Sequence, residues 1–263
     1  MKSMTRTRLL LILLFLAASV YSKNSNTCNE EPVKKKLSPC EALYVPEGWS
    51  FDLGGSYTWI SFTTPPSYTG STGGIETRMS YQKPKEFFGQ IRSIYNIGPL
   101  SSSLNDADFS EWYSEFLGGY CISILKDWTF TIYAGLGLDF LHENNSDTPS
   151  LAPIQLRYNL YYAIAGFDTH YNWKDWMFGV QLDCLPTFNQ YLKIASLSES
   201  AWILDNRVGA AVHIPIAYRY VRNFWLELAP YYRFLPIGNS SFLQLPERNL
   251  NQWGAFLRFR FFL

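Results

Sequence analysis

From Trp49 to Leu263, apolar residues fall at every second position in ten successive runs, and that alternation limits what the chain can become. A period of two places alternate side chains on opposite faces of an extended strand, so each run predicts a strand with two unlike faces. The apolar face of the first run reads Trp49, Phe51, Leu53, Tyr57, Trp59, and that of the fifth reads Trp128, Phe130, Ile132, Ala134, Leu136, Leu138, Phe140. The last reads Trp253, Ala255, Leu257, Phe259, Phe261, Leu263, with Gln252, Gly254, Arg258 and Arg260 opposite. The sixth run, near Leu156 to Tyr171, changes parity between Arg157 and Asp168, and a bulge near Ala165 or Gly166 would reconcile the two halves.

Ten strands is an even number, as a closed up-and-down antiparallel barrel requires, with eight or twelve as the alternatives. The connections alternate in length. Short turns fall at Lys83-Pro84-Lys85, Lys126-Asp127, Lys174-Asp175 and Arg222-Asn223. Long polar stretches run through Thr63–Gly73, Gly98–Phe109, His142–Pro153, Pro186–Ser200 and Ile237–Arg248. Both ends of the barrel segment then fall on the short-turn side, and closure requires the last strand to pair with Trp49–Phe62.

Alternation alone does not say which face meets solvent. Three features put the apolar face outside, against lipid. The runs contain no Lys, whereas a solvated strand face would use it freely; their cations are Arg or His, and the Arg fork suits buried ion pairs. Trp49, Trp128, Trp173 and Trp176 fall at the short-turn end, and Trp59, Trp112, Trp202 and Trp253 at the long-loop end, as two interfacial girdles would. Each apolar face runs for about 10 residues, the length a tilted strand needs to cross the hydrocarbon. A composition with 17% aromatic residues agrees, because a soluble domain would struggle to keep so many rings off its surface.

The first 22 residues differ in kind. Lys2, Arg6 and Arg8 precede the apolar run Leu9 to Val20, and Val20 and Ser22 suit the −3 and −1 positions of a cleavage site, so residues 1–22 are expected to be a secretory signal. Its removal leaves 19 Lys+Arg against 22 Asp+Glu, no basic excess for nucleic acid. No later segment approaches 18 uninterrupted apolar residues, which argues against a helical membrane protein. Residues 23–47 lack alternation and are expected to be an N-terminal periplasmic extension, with the barrel occupying 48–263. Cys28 and Cys40 can close a short loop in an oxidising compartment. Cys121 and Cys184 are expected near opposite ends of their strands, too far apart to bridge.

The closing strand resembles the C-terminal signal of bacterial outer-membrane β-barrels: a polar residue, Gly two later, then hydrophobic or aromatic residues at alternate positions. Gln252, Gly254, Leu257, Phe259 and Phe261 fit, while the final Leu263 stands where many members carry Phe. The resemblance is to a broad class. It implies residence in the outer membrane of a Gram-negative-type bacterium, contact with its lipid, and insertion by the barrel-assembly machinery.

The inward face is expected to hold a charge network. Its acids are Asp52, Glu76, Glu111, Glu115, Asp139, Asp183 and Glu227; its arginines are Arg78, Arg92, Arg157, Arg207, Arg233, Arg258 and Arg260. Seven against seven suggests mutual pairing and a filled interior, in a surface or structural protein whose external loops can bind a ligand. The alternative is a narrow, porin-like channel for small polar solutes. A third reading is a rim-site hydrolase like the omptin proteases, which are ten-stranded and place an Asp–His pair and an Asp pair at the rim. His142, His170 and His213 differ in height and compose no such site, so no catalytic residue is assigned. No metal-ligand spacing and no phosphate loop occur, and no cofactor is expected.

Overall fold

The computed structural model describes residues 48–263 apart from 64–66, 84–85, 104–105, 126, 146–154, 195–200 and 241–246. The expected signal (1–22), the periplasmic extension (23–47) and the Cys28–Cys40 pair lie outside the described residues. Cys121 and Cys184 are both free thiols, the first buried and the second exposed.

All regular structure among the described residues is antiparallel β. The strands are β1 (Gly48–Phe62), β2 (Tyr68–Gln82), β3 (Phe87–Ser101), β4 (Asp106–Leu125), β5 (Trp128–Asn145), β6 (Gln155–Trp173), β7 (Trp176–Ile194), β8 (Trp202–Leu204), β9 (Val208–His213), β10 (Ile216–Val221), β11 (Phe224–Ile237) and β12 (Arg248–Phe262). Twelve strands make a closed ring of ten places, because β8, β9 and β10 share the eighth. β9 and β10 each pair with β7 on one side and β11 on the other, and β8 continues along β7. Pro215, between β9 and β10, has no N–H to donate, and the ladder breaks there without changing face. The ring closes where β12 pairs with β1, from Ser50 opposite Phe262 to Phe62 opposite Leu250.

The sixth run keeps one parity throughout. Tyr158, Leu160, Tyr162, Ile164, Asp168, His170 and Asn172 all face inward, and the bulge lies across the ladder on β7: Tyr161 faces Asn189 and Tyr162 faces Thr187, leaving Phe188 over. Arg157 therefore points outward. Several strands also outrun their expected ends. β2 begins at Tyr68, β3 and β4 leave only 102–105 between them, and β7 continues to Ile194, so Lys193 does lie within a strand. The Ser/Thr/Gly alternation of Thr69 to Gly74 has no hydrophobic contrast, which is why it reads as loop in sequence.

The outer surface of the ring is apolar. Leu53, Ile75, Ile91, Phe116, Ile132, Leu136, Val180, Leu228 and Leu257 are exposed. Trp49 and Trp59 both face outward, ten positions apart on β1, which at strand rise and tilt spans about 25 Å along the barrel axis. Trp49 lies against Tyr81 and Trp176 against Tyr218 at one edge of this belt; Trp59 neighbours Trp253 and Trp112 stacks on Phe140 at the other. An aliphatic band between two aromatic girdles is the exterior of an outer-membrane-type barrel. Trp202 departs from the expected girdle, since its strand turns Leu204 and Trp202 toward the interior. Trp225 is likewise inward, packed with Met177, Ala217 and Phe262.

Candidate functional site

The interior is layered along the barrel axis. At the short-turn end, three acids and three arginines interlock. Arg258 grips Glu76 with two nitrogens, Nε to Oε2 at 2.5 Å and Nη2 to Oε1 at 2.9 Å, and its Nη1 donates to Glu227 Oε1 at 2.5 Å. Arg260 joins the other Glu227 oxygen at 2.6 Å to Asp52 at 3.1 Å, and Arg78 Nε donates to Asp52 Oδ2 at 2.5 Å. The register explains the cluster. Asp52 stands directly opposite Arg78 on β2 and Arg260 on β12, while Glu227 stands opposite Arg258.

A second cluster lies toward the long-loop end. Arg233 donates to Glu111 at 2.9 Å, Asp139 at 2.7 Å, Gln252 at 3.1 Å and the Tyr162 hydroxyl at 3.3 Å, with its guanidinium 4.4 Å from the Tyr113 ring centroid. Tyr162 passes the connection to Glu115, which also takes Arg92 at 2.5 Å. Gly137, directly opposite Tyr162, makes the room: a Cβ there would land on the Tyr162 ring. Isolated buried charges of this kind are very costly, and mutual pairing with further hydrogen bonds is what makes them tolerable.

Asp183 sits apart from both clusters, accepting from the Tyr133 hydroxyl and from Gln181 at 2.9 Å, with His213 Nε2 at 4.0 Å. Two expected members leave the interior network. Arg157 is on the outer face because β6 does not change parity. Arg207 precedes β9 and pairs at the rim with Glu247 at 2.9 Å. Conversely, Glu143 and Arg248 pair at 2.9 Å inside the barrel, and Asp168 faces inward beside His170 at 3.2 Å. The expected parity is thereby lost: the described strands turn Asp52, Glu76, Glu111, Glu115, Asp139, Glu143, Asp168, Asp183 and Glu227 inward against Arg78, Arg92, Arg219, Arg233, Arg248, Arg258 and Arg260. Glu143 and Arg248 went unread because both fall in stretches that look like loop.

Beyond the Arg233 cluster, the interior becomes apolar. Ile60, Phe62, Tyr68, Leu100, Phe109, Leu141, Tyr158, Leu160, Leu192, Ile194, Leu204, Leu235, Ile237 and Leu250 form one continuous buried layer. With Ala107, they come from β1 to β8, β11 and β12, so every one of the ten places in the ring contributes. Arg248 closes onto it, 4.3 Å from the Phe62 ring centroid. At the opposite end, a cavity of about 70 Å³ runs from Gly48, Gln82 and Phe262 inward to Arg258, Glu227 and His213.

The assembly-signal residues divide between the two faces. Gln252 points inward and donates to Glu111 at 2.7 Å. Gly254 lies opposite both Thr58 and Tyr231, whose hydroxyls share a hydrogen bond of 2.5 Å. Leu257, Phe259 and Phe261 face outward. The three histidines are not brought together: His213 is buried in the interior, stacked on Tyr231, His170 lines the short-turn cavity, and His142 is on the outer face. Among the described residues, no group of His, Cys, Asp and Glu has the arrangement of a metal site.

No protein-family model and no curated protein matches the chain. Among solved structures, it is similar to the translocator domain of the autotransporter NalP from Neisseria meningitidis, at 7% identity over 81% of this chain and 88% of that one, with a TM-score of 0.48. The β domain of the Bordetella autotransporter BrkA is 10% identical over 83% and 100%, with a TM-score of 0.48. Neisserial surface protein A is 15% identical over 81% and 98%, with a TM-score of 0.35.

Proposed function

We propose that this barrel is a non-conducting, non-enzymatic outer-membrane protein that holds its connecting loops at the cell surface, where they meet an extracellular ligand. One observation carries this reading, the apolar layer to which all ten places of the ring contribute. Water and ions crossing the barrel would have to pass through it, and opening it would expose more than a dozen large side chains, each costing roughly 1.5–3 kcal/mol to hydrate. The charge clusters beneath it supply cross-barrel ties: Arg233 and Arg258 each reach acids from non-adjacent strands.

On this reading residues 1–22 direct export and are cleaved, the assembly machinery reads β12, and the short-turn end faces the periplasm. The test is reconstitution of the full mature chain in planar bilayers. The expected record has no unitary conductance at either polarity. Stable unitary steps, altered by Arg258→Ala, would establish the channel instead.

A further inference from the structure

Arg157, read from sequence as an interior cation, lies on the outer face. There it forms the middle of a row that the interior network does not use. His142 on β5 is directly opposite Arg157 on β6, which is directly opposite Lys193 on β7. Directly paired residues share a face, and their Cβ atoms are about 4.5–5.5 Å apart. Two permanent cations and an imidazole therefore stand side by side on the lipid-facing surface. Among the described residues, none of the three takes part in a salt bridge to a carboxylate. The outward carboxylate nearest in register, Asp108 on β4, stands opposite Asn144 rather than opposite His142. Like charges placed directly opposite one another are destabilising, so an anion set against the row stabilises it.

Its depth says where that anion comes from. Deeper toward the hydrocarbon, β4 to β7 carry a chain of rings: Trp112 stacks on Phe140 at 5.4 Å, Phe140 meets Tyr161 edge-on at 6.4 Å, and Tyr161 meets Tyr191 at 6.3 Å. Below the rings are Leu136, Leu138, Ala163 and Leu182. Rings mark the interface, so cations just beyond them stand at the level of lipid headgroups.

We infer that His142, Arg157 and Lys193 form a docking site for a lipid whose headgroup carries phosphate monoesters, its acyl chains lying on the aliphatic strip below. Arg157 supplies the planar fork for phosphate oxygens, and Lys193 a point charge. The site rests on the outer-membrane reading above, which puts this end of the barrel in the outer leaflet. Near a membrane surface each such cation strengthens attachment roughly five-fold.

The test uses the full mature chain in detergent micelles, with diphosphoryl lipid A as probe and its dephosphorylated form as comparator, bound lipid being read by native mass spectrometry. Wild type is expected to prefer the phosphorylated form, and Arg157→Ala/Lys193→Ala to lose about twenty-five-fold in affinity for it. Arg222→Ala, at the opposite end, is expected to bind as wild type, and millimolar inorganic phosphate not to displace the lipid. Heat-modifiable gel migration establishes that each variant is folded. If the double variant does not fold, Lys193→Gln, at the exposed end of β7, carries the same comparison. Equal binding of the two lipid forms by wild type, undiminished binding by a folded variant, or displacement by inorganic phosphate overturns the site. Conductance separates the two readings: a sealed barrel that does not select the phosphorylated lipid loses only this inference, and a conducting barrel that selects it loses only the surface-protein reading.

Discussion

Arg258 and Glu76 clasp each other across the seam of the barrel, over a glycine. Gly54 on β1 stands directly opposite both residues, Arg258 on β12 and Glu76 on β2, so the bidentate pair spans the first strand and ties the last strand to the second. Closure thus has a side-chain fastening as well as a backbone ladder. Glu76→Ala leaves Arg258 with Glu227 alone, and is expected to destabilise the barrel by about 3–5 kcal/mol. The double variant Glu76→Ala/Arg258→Leu removes both charges and should lose less than Glu76→Ala does. The midpoint of urea unfolding in lipid vesicles, followed by heat-modifiable migration, measures both.

The clasp also depends on what Gly54 lacks. A Cβ at that position would lie 2.6 Å from the Leu257 carbonyl oxygen and 3.0 Å from Arg258 Cγ. Gly54→Ala is therefore expected to strain the seam by about 1–3 kcal/mol, the usual range for forced overpacking. The outward neighbour Gly55 has no such crowding, its nearest atom being the Gly74 oxygen at 3.8 Å. Gly55→Ala should fold with nearly wild-type yield. Comparable losses from the two substitutions would show that backbone freedom, not space beneath the arginine, decides the matter.

How far the sequence carries depends on the contrast between the two faces of each strand. Where large apolar residues alternate with polar ones, as in Trp49 to Trp59, the faces and the β1–β12 closure are legible directly. Contrast vanishes at the long-loop end. There Leu141, Leu160, Leu192 and Leu235 face inward next to outward Phe140, Tyr161, Tyr191 and Phe234, so both faces are apolar and the sealing layer goes unread. Arg157 was misplaced for a related reason. A bulge was needed in sequence to reconcile it with Asp168, yet an outward arginine at headgroup level needs none. Most of the charge network was legible because acids and arginines on inward positions have no other tolerable place. Which acid meets which arginine depends on the register between strands, and single-strand periodicity does not contain it.

One outward and one inward tryptophan at the same end of the barrel allow a direct check of this layering. Trp176 is 41% exposed in the lipid-facing girdle, whereas Trp225 is 1% exposed among Met177, Ala217 and Phe262 at the same end of the barrel. Bromine on lipid chains quenches indole fluorescence only at short range. A single-tryptophan variant keeping Trp176 is expected to be strongly quenched in brominated vesicles, and one keeping Trp225 to be protected. Equal quenching would put Trp225 outside the barrel and reverse the parity of β11.

Arg233 separates what holds the barrel together from what seals it. It is the hub of its cluster, with Glu111, Asp139, Gln252 and Tyr162 all within hydrogen-bonding distance. Arg233→Ala leaves Glu111 and Asp139 buried without their cation and is expected to cost about 3–5 kcal/mol. Arg233→Lys keeps the charge but cannot present two parallel donors, so an intermediate loss of about 1–3 kcal/mol follows. Neither change touches Phe62, Phe109, Leu160 or Leu235 in the layer beyond it. Both variants should therefore unfold at lower urea than wild type while remaining electrically silent in planar bilayers. Unitary conductance appearing in folded Arg233→Ala would move the seal from the apolar layer to the charge network.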